Sequence, residues 1–186
     1  MNRTLLVVIT GPPATGKTCL GKLLARKYFL PYFSKDIFKE MMFDRAGDID
    51  WEASRFYSKT SIDTLNIITK ELLSNQVSHI VEANFKTESH TPYLQALKNE
   101  FAFDLVQVQL KCEGQVLTRR FKERATSGEL HPGHQGLRFF EHLKHSLAKG
   151  EYEPFEIDSE IIYVDTTDLS KVDYDFLFKT IESKML

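Results

Sequence analysis

Residues 11–18 read Gly-Pro-Pro-Ala-Thr-Gly-Lys-Thr, directly after the apolar run of residues 5–9. This is the Walker A spacing, in which a strand delivers the chain into a tight loop that wraps a phosphate chain. Gly11 and Gly16 give the backbone its freedom to turn, and the helix that follows aims its positive end at the anion. Lys17 has the reach to meet β- and γ-phosphates as a point charge, and Thr18 offers a hydroxyl to Mg²⁺. The expected nucleotide contacts run through Gly11, Pro12, Pro13, Ala14, Thr15, Gly16, Lys17, Thr18 and Cys19.

Such a loop binds a nucleotide without saying what becomes of the γ-phosphate. Lys35 and Asp36 follow a short apolar run at 32–34, which should end on the same carboxyl edge of the sheet, where ligands collect in open α/β folds. Asp36 there could accept the proton of an attacking hydroxyl, and Lys39, one turn later, could hold an anionic or polar acceptor. Asp36 is equally suited to cap the helix that starts there. Glu82 and Asn84 end the run Val81-Glu82-Ala83-Asn84-Phe85, where an acidic residue would orient Mg²⁺ and an amide would bind substrate hydroxyls.

Arg120 and Arg124 stand four apart on one helix face, so two guanidinium groups could lean over the transferring phosphoryl group from a lid at about residues 113–136. His131 and His134 flank Pro132-Gly133, a turn that suits a substrate-contacting or lid-shaping loop better than a metal site.

These residues need elements to hold them. Helical spacing is expected over residues 16–28, 37–43, 52–75, 92–99, 113–127, 137–148 and 169–185. Strands are expected at 5–9, 32–34, 79–83, 103–110 and 161–164. Ser34 or Asp36 would cap the second helix, and 128–136 reads as loop. The alternation implies a three-layer α/β sandwich around a five-stranded parallel sheet, formed by residues 1–186 as one domain.

With 42% hydrophobic and 27% charged residues, the chain has an ordinary globular composition. A net charge of −2 argues against a broad nucleic-acid or membrane surface. Cys19 and Cys112 suggest neither a disulfide framework nor a zinc ribbon. A soluble cytoplasmic protein, monomer or homodimer, is the expectation.

Taken together, the loop at 11–18, Asp36 with Lys39, Glu82 with Asn84, and Arg120 with Arg124 resemble the P-loop kinase superfamily. The resemblance is to its nucleoside-monophosphate-kinase-like branch, near AAA-type predicted kinases that include polynucleotide 5′-kinases, zeta toxins and antibiotic phosphotransferases. It implies Asp36 as general base, Arg120 and Arg124 as lid arginines, and ATP or GTP with Mg²⁺ as donor. Three functions follow as alternatives. The first is a kinase acting on a hydroxyl of a small molecule. The second is a polynucleotide 5′-hydroxyl kinase, and the third is a nucleotide-binding regulator that transfers nothing.

Overall fold

The computed structural model describes residues 3–47 and 49–185. Five parallel strands form one sheet: β1 (Thr4–Thr10), β2 (Tyr32–Ser34), β3 (His79–Glu82), β4 (Phe103–Lys111) and β5 (Glu160–Asp165), in the order β2-β3-β1-β4-β5. Among the described residues seven α-helices connect or cover them: α1 (Lys17–Tyr28), α2 (Lys35–Ala46), α3 (Trp51–Ser74), α4 (Thr87–Glu100), α5 (Gly114–Thr126), α6 (Phe140–Lys149) and α7 (Asp175–Met185). The three-layer α/β sandwich expected from the alternation is present.

The sheet is buried on both faces because β1 is apolar at consecutive positions, and successive strand residues point to opposite sides. Leu5, Val7 and Ile9 meet Leu20 and Leu24 of α1 and Leu177 and Ile181 of α7. Leu6 and Val8 meet Leu65 and Leu73 of α3 and Leu94 and Leu97 of α4. A smaller cluster of Cys112, Leu117, Phe121 and Leu147 holds α5 and α6 together beyond the carboxyl edge. Full burial of each large side chain contributes about 1.5–3 kcal/mol.

The crossover from β1 leaves toward β2 on one face, whereas that from β3 leaves toward β4 on the other. The crevice between β1 and β3 is therefore a topological switch point, the place where open α/β sheets bind ligands. The register Ile9↔Glu82 puts the loop after β1 beside the end of β3.

Several boundaries differ from expectation for identifiable reasons. Helix α4 begins at Thr87 and carries Pro92 inside it, because Thr87 Oγ1 donates to the Glu153 carbonyl oxygen at 2.6 Å and His90 stacks on Phe85 at 4.0 Å. These tertiary contacts outweigh the local cost of the proline. The region expected as one helix at 169–185 divides into a 3-10 turn (Leu169–Lys171) and α7. Asp168 and Asp173 accept from the backbone N–H groups of Ser170 and Asp175, local bonds that compete with helix propagation. Residues 136–139 likewise form a 3-10 turn ahead of α6, and Pro132–His134 another within the expected loop. On β4, Gln107 and Gln109 are buried. Gln107 donates to the Phe155 carbonyl oxygen at 3.0 Å and accepts from the Phe155 N–H at 2.8 Å, which ties residue 155 into the core.

Candidate active site

The loop after β1 has the backbone its spacing called for. Gly11 (φ 143°), Ala14 (φ 64°) and Gly16 (φ 91°) all have positive φ, and a Cβ on Gly11 would overlap the carbonyl oxygen of Leu110. Ala14 in that region is a strained conformation of the kind held at ligand clamps. No side chain caps α1, so its first N–H groups are available to an anion. Thr15 Oγ1 and Lys17 Nζ both donate to the Pro12 carbonyl oxygen, at 2.9 and 2.8 Å. Burial lowers the pKa of Lys17, against the opposing pull of Glu82 and Asp36.

A cavity of about 680 Å³ opens above this loop, within the range of about 300–1,000 Å³ usual for small-molecule sites. Pro13, Ala14, Gly16, Lys17, Thr18 and Cys19 line it from the loop. Gly11, Pro12 and Thr15 shape the loop from behind. Of the other expected residues, Asp36, Lys39, Glu82, Asn84, Arg120, Arg124 and His134 also line the cavity.

Glu82, only 2% exposed, accepts from Thr18 Oγ1 at 3.1 Å and from Tyr32 OH at 2.7 Å. A hydroxyl and a carboxylate side by side are the hard oxygen donors that Mg²⁺ takes. Tyr32 is fixed from behind by Gly21, where any Cβ would overlap the tyrosine ring. Its phenol pKa is raised by burial and by the Glu82 charge, so it remains a donor.

Ser34, not Asp36, caps α2: its hydroxyl accepts from the Asp36 N–H. The Asp36 carboxylate is thereby left for the cavity. Lys35 Nζ lies 3.2 Å from it and donates to Asn84 Oδ1 at 2.9 Å, joining the ends of β2 and β3. Burial works to raise the Asp36 pKa, but the charges of Lys35, His134 and Lys17 outweigh it and hold the carboxyl well below the usual carboxylate range.

Lys39, three residues on, is buried and donates to Ser54 Oγ at 2.9 Å. Burial and the neighbouring Lys35 charge lower its pKa to about 8, with Asp36 opposing.

The geometry sets apart two pairs that the sequence presents as equivalent. Arg120 does not stand free beside Arg124. Its guanidinium donates to the carbonyl oxygens of Thr166 at 2.6 Å and Thr167 at 3.0 Å, because the turn after β5 leaves those acceptors facing α5. The Arg124 side chain makes no hydrogen bond or ion pair with a described residue, and its charge reaches Lys17. His131, for its part, lies outside the cavity lining, with Nε2 3.0 Å from Asp44. His134 Nε2 lies 2.9 Å from Glu40, and burial lowers its pKa against Asp36 and Glu40. The two histidines thus pin the 130s turn to α2.

Sequence reasoning passed over Lys35, Tyr32, Ser54, Arg55 and Trp51. Lys35 and Tyr32 flank the strand end that singled out Asp36, so position alone marked them. Ser54, Arg55 and Trp51 lie on α3, whose spacing reads only as a long amphipathic helix.

A family model described as an AAA domain matches residues 7–132. Among solved structures, a candidate kinase from Chloroflexus aurantiacus J-10-fl superposes with a TM-score of 0.90 at 33% identity, covering 99% of this chain and 100% of that one. A sugar kinase from Janibacter sp. HTCC2649 shares the fold at a TM-score of 0.56 and 18% identity, over 97% of this chain and 93% of that one. So does a gluconokinase from Sinorhizobium meliloti 1021, at 0.52 and 15%, over 92% and 89%. No curated protein matches the chain significantly. No helix among the described residues is long and apolar enough to cross a membrane. Since the family model takes in the phosphate loop, Asp36, Glu82 and both arginines of α5, and the Chloroflexus relative matches from end to end, the chain belongs to the AAA domain family within the P-loop kinase superfamily.

Proposed function

We propose that this chain is a kinase that transfers the γ-phosphate of ATP or GTP to a hydroxyl of a small-molecule acceptor. The observation that carries the reading is Asp36, an ionised carboxylate lining the same cavity as Lys17 and Thr18 and near enough to Lys17 for each to shift the other's pKa. A nucleotide sensor has no need of such a group. The likeness to the Chloroflexus candidate kinase supports the same reading.

In the reaction, the acceptor oxygen bonds to the γ-phosphorus as the bond from that phosphorus to the β,γ-bridging oxygen breaks, and a nucleoside diphosphate leaves. Asp36 orients the hydroxyl and takes its proton as the new bond forms, then passes it to solvent. A carboxylate held so acidic accepts the proton late, in keeping with a loose transition state in which the nucleophile gains little early charge. Lys17 and Arg124 face the charge that spreads over the transferring group. Arg120, fixed by Thr166 and Thr167, presents a planar cation against which a nucleobase can stack. Thr18 and Glu82 would hold Mg²⁺, which when bound neutralises phosphate charge. We read residues 1–186 as one kinase domain, with a lid over about 113–136.

The test uses nucleotide labelled in the γ-phosphate, offered with polyols, sugar acids, amino alcohols and a 5′-hydroxyl oligonucleotide. Label should pass to a small acceptor, and Asp36→Asn should slow transfer by about 10²–10⁴-fold while nucleotide binding persists. Binding without transfer to any acceptor would instead make the chain a regulator. Label on the oligonucleotide alone would make it an end kinase.

A further inference from the structure

Lys39 is a buried cation without an ion pair to a described residue, and the charges of Lys35 and Asp36 act on it in opposite directions. Its ammonium has three N–H donors, and the one hydrogen bond it makes is to the neutral hydroxyl of Ser54. No carboxylate of a described residue lies within ion-pair distance. The Phe43 ring lies 5.1 Å from Nζ, and His134 is near enough for the two groups to act on each other. Burying a charge without a partner is costly, and a cavity-lining residue that carries this cost marks a binding position.

None of the cavity's own carboxylates pairs with Lys39. Asp36 faces Lys35, Glu82 accepts from Thr18 and Tyr32, and Glu123 lies 3.8 Å from Arg119. Glu129, exposed on the rim, pairs with neither Lys39 nor a neighbouring cation. One residue beyond Ser54, the Arg55 guanidinium also lines the cavity and makes no hydrogen bond or ion pair with a described residue. Ser58, one turn further along α3, adds a hydroxyl to the same wall. Lys39, Arg55 and the two serine hydroxyls therefore line the cavity from α2 and α3, with Asp36 three residues from Lys39 on the same face of α2. Side chains at that spacing have Cβ atoms about 5–6 Å apart, so one short molecule can touch both.

We infer that the acceptor is a small hydroxylated anion, whose carboxylate or phosphate monoester group is held by Lys39, Ser54 and Arg55 while its hydroxyl meets Asp36. This rests on the kinase reading for the role of Asp36, but the anion subsite stands on α2 and α3 alone. Trp51, the chain's one tryptophan, lines the same cavity and reports occupancy by fluorescence.

Gluconate, glucitol 6-phosphate and neutral glucitol share one open six-carbon skeleton and separate carboxylate, phosphate and neither. Each is titrated against the full chain in the presence of Mg²⁺ and a non-hydrolysable ATP analogue, with Trp51 emission as the signal. At least one of the anions should bind about tenfold or more tightly than glucitol, and which one binds assigns the anionic group. Lys39→Met should abolish that advantage and Arg55→Gln should reduce it about threefold. Circular dichroism checks the fold of each variant, and Arg55→Gln, on an exposed residue, carries the test if Lys39→Met does not fold. Equal binding of all three compounds, binding of none, or an advantage that survives both substitutions would overturn the inference. Anion binding with no phosphoryl transfer to any acceptor would sink the kinase reading and leave the subsite in place.

Discussion

The guanidinium of Arg120 holds the carbonyl oxygens of Thr166 and Thr167, forty-six and forty-seven residues away, and so stitches α5 to the turn after β5. Arg124, one helical turn on, has no such anchor. The two arginines of one helix face should therefore fail differently. Arg124→Ala is expected to lower kcat by about a hundredfold or more with nucleotide affinity little changed, as befits a contact made mainly in the transition state. Arg120→Ala should raise the nucleotide KM and cost about 1–3 kcal/mol of stability by stranding two carbonyl acceptors. Steady-state kinetics with thermal unfolding of both variants checks this. Equal loss of kcat from both, without destabilisation by Arg120→Ala, would restore the paired-lid expectation.

Tyr32→Phe isolates the positioning of Glu82. The phenol donates to Glu82 Oε2 at 2.7 Å while Thr18 donates to the same oxygen at 3.1 Å, so its loss leaves the carboxylate in place but freer to turn. Substitutions in the shell behind metal ligands typically weaken the metal by about 10–100-fold. The Mg²⁺ concentration for half-maximal activity should rise by at least about tenfold, with nucleotide binding in the absence of Mg²⁺ unaffected. Tyr28→Phe, whose hydroxyl meets Glu182 at the end of α1 remote from the phosphate loop, should leave the Mg²⁺ titration where it was.

Much of this site was legible in the residue string because phosphate chemistry imposes its own spacing. The phosphate loop after β1, Asp36 after β2 and Glu82 at the end of β3 each mark a strand end, and parallel topology brings strand ends together. What was not legible depends on side chains meeting across long separations. Lys39 is marked by its place one turn after Asp36, but nothing local shows that it is buried against Ser54 on another helix. Arg120 and Arg124 look equivalent until β5 presents its carbonyls. The start of α4 differs from expectation because a proline inside a helix is normally unfavourable, and the Thr87 and His90 contacts that support it reach the distant loop at 153–155.

Gly133 is expected to tolerate no side chain. A Cβ there would overlap the Phe43 ring, which is buried among Tyr57, His131 and His134 and lies one turn beyond Lys39 on α2. Gly133→Ala should lower stability by about 1–3 kcal/mol, the usual cost of overpacking. Since the displaced turn carries both histidines that bond α2, acceptor KM should rise more than nucleotide KM. Differential scanning calorimetry and separate substrate titrations distinguish the two effects, and an unchanged Tm would refute the packing argument.

Lys39 should set stability and acceptor binding against each other. Its pKa is lowered from 10.5 to about 8 by burial and by Lys35, against Asp36, with Ser54, Phe43 and the His134 imidazole also near it. Because the folded value is the lower one, the unfolded chain binds more protons between about pH 8 and 10.5, and stability rises with pH across that window. Below about pH 8 the lysine is charged in both states, and the full cost of burying it is present, on the order of 3 kcal/mol. Lys39→Met should therefore match or exceed the wild type in Tm at pH 7, with the gain shrinking toward pH 10. An anionic acceptor needs the charged form, so wild-type acceptor KM should rise as pH passes through 8, while the Lys39→Met variant should show a high KM without that inflection. A residue kept for structure would behave oppositely: Lys39→Met would then be less stable than wild type at pH 7, because the bond to Ser54 would outweigh the buried charge.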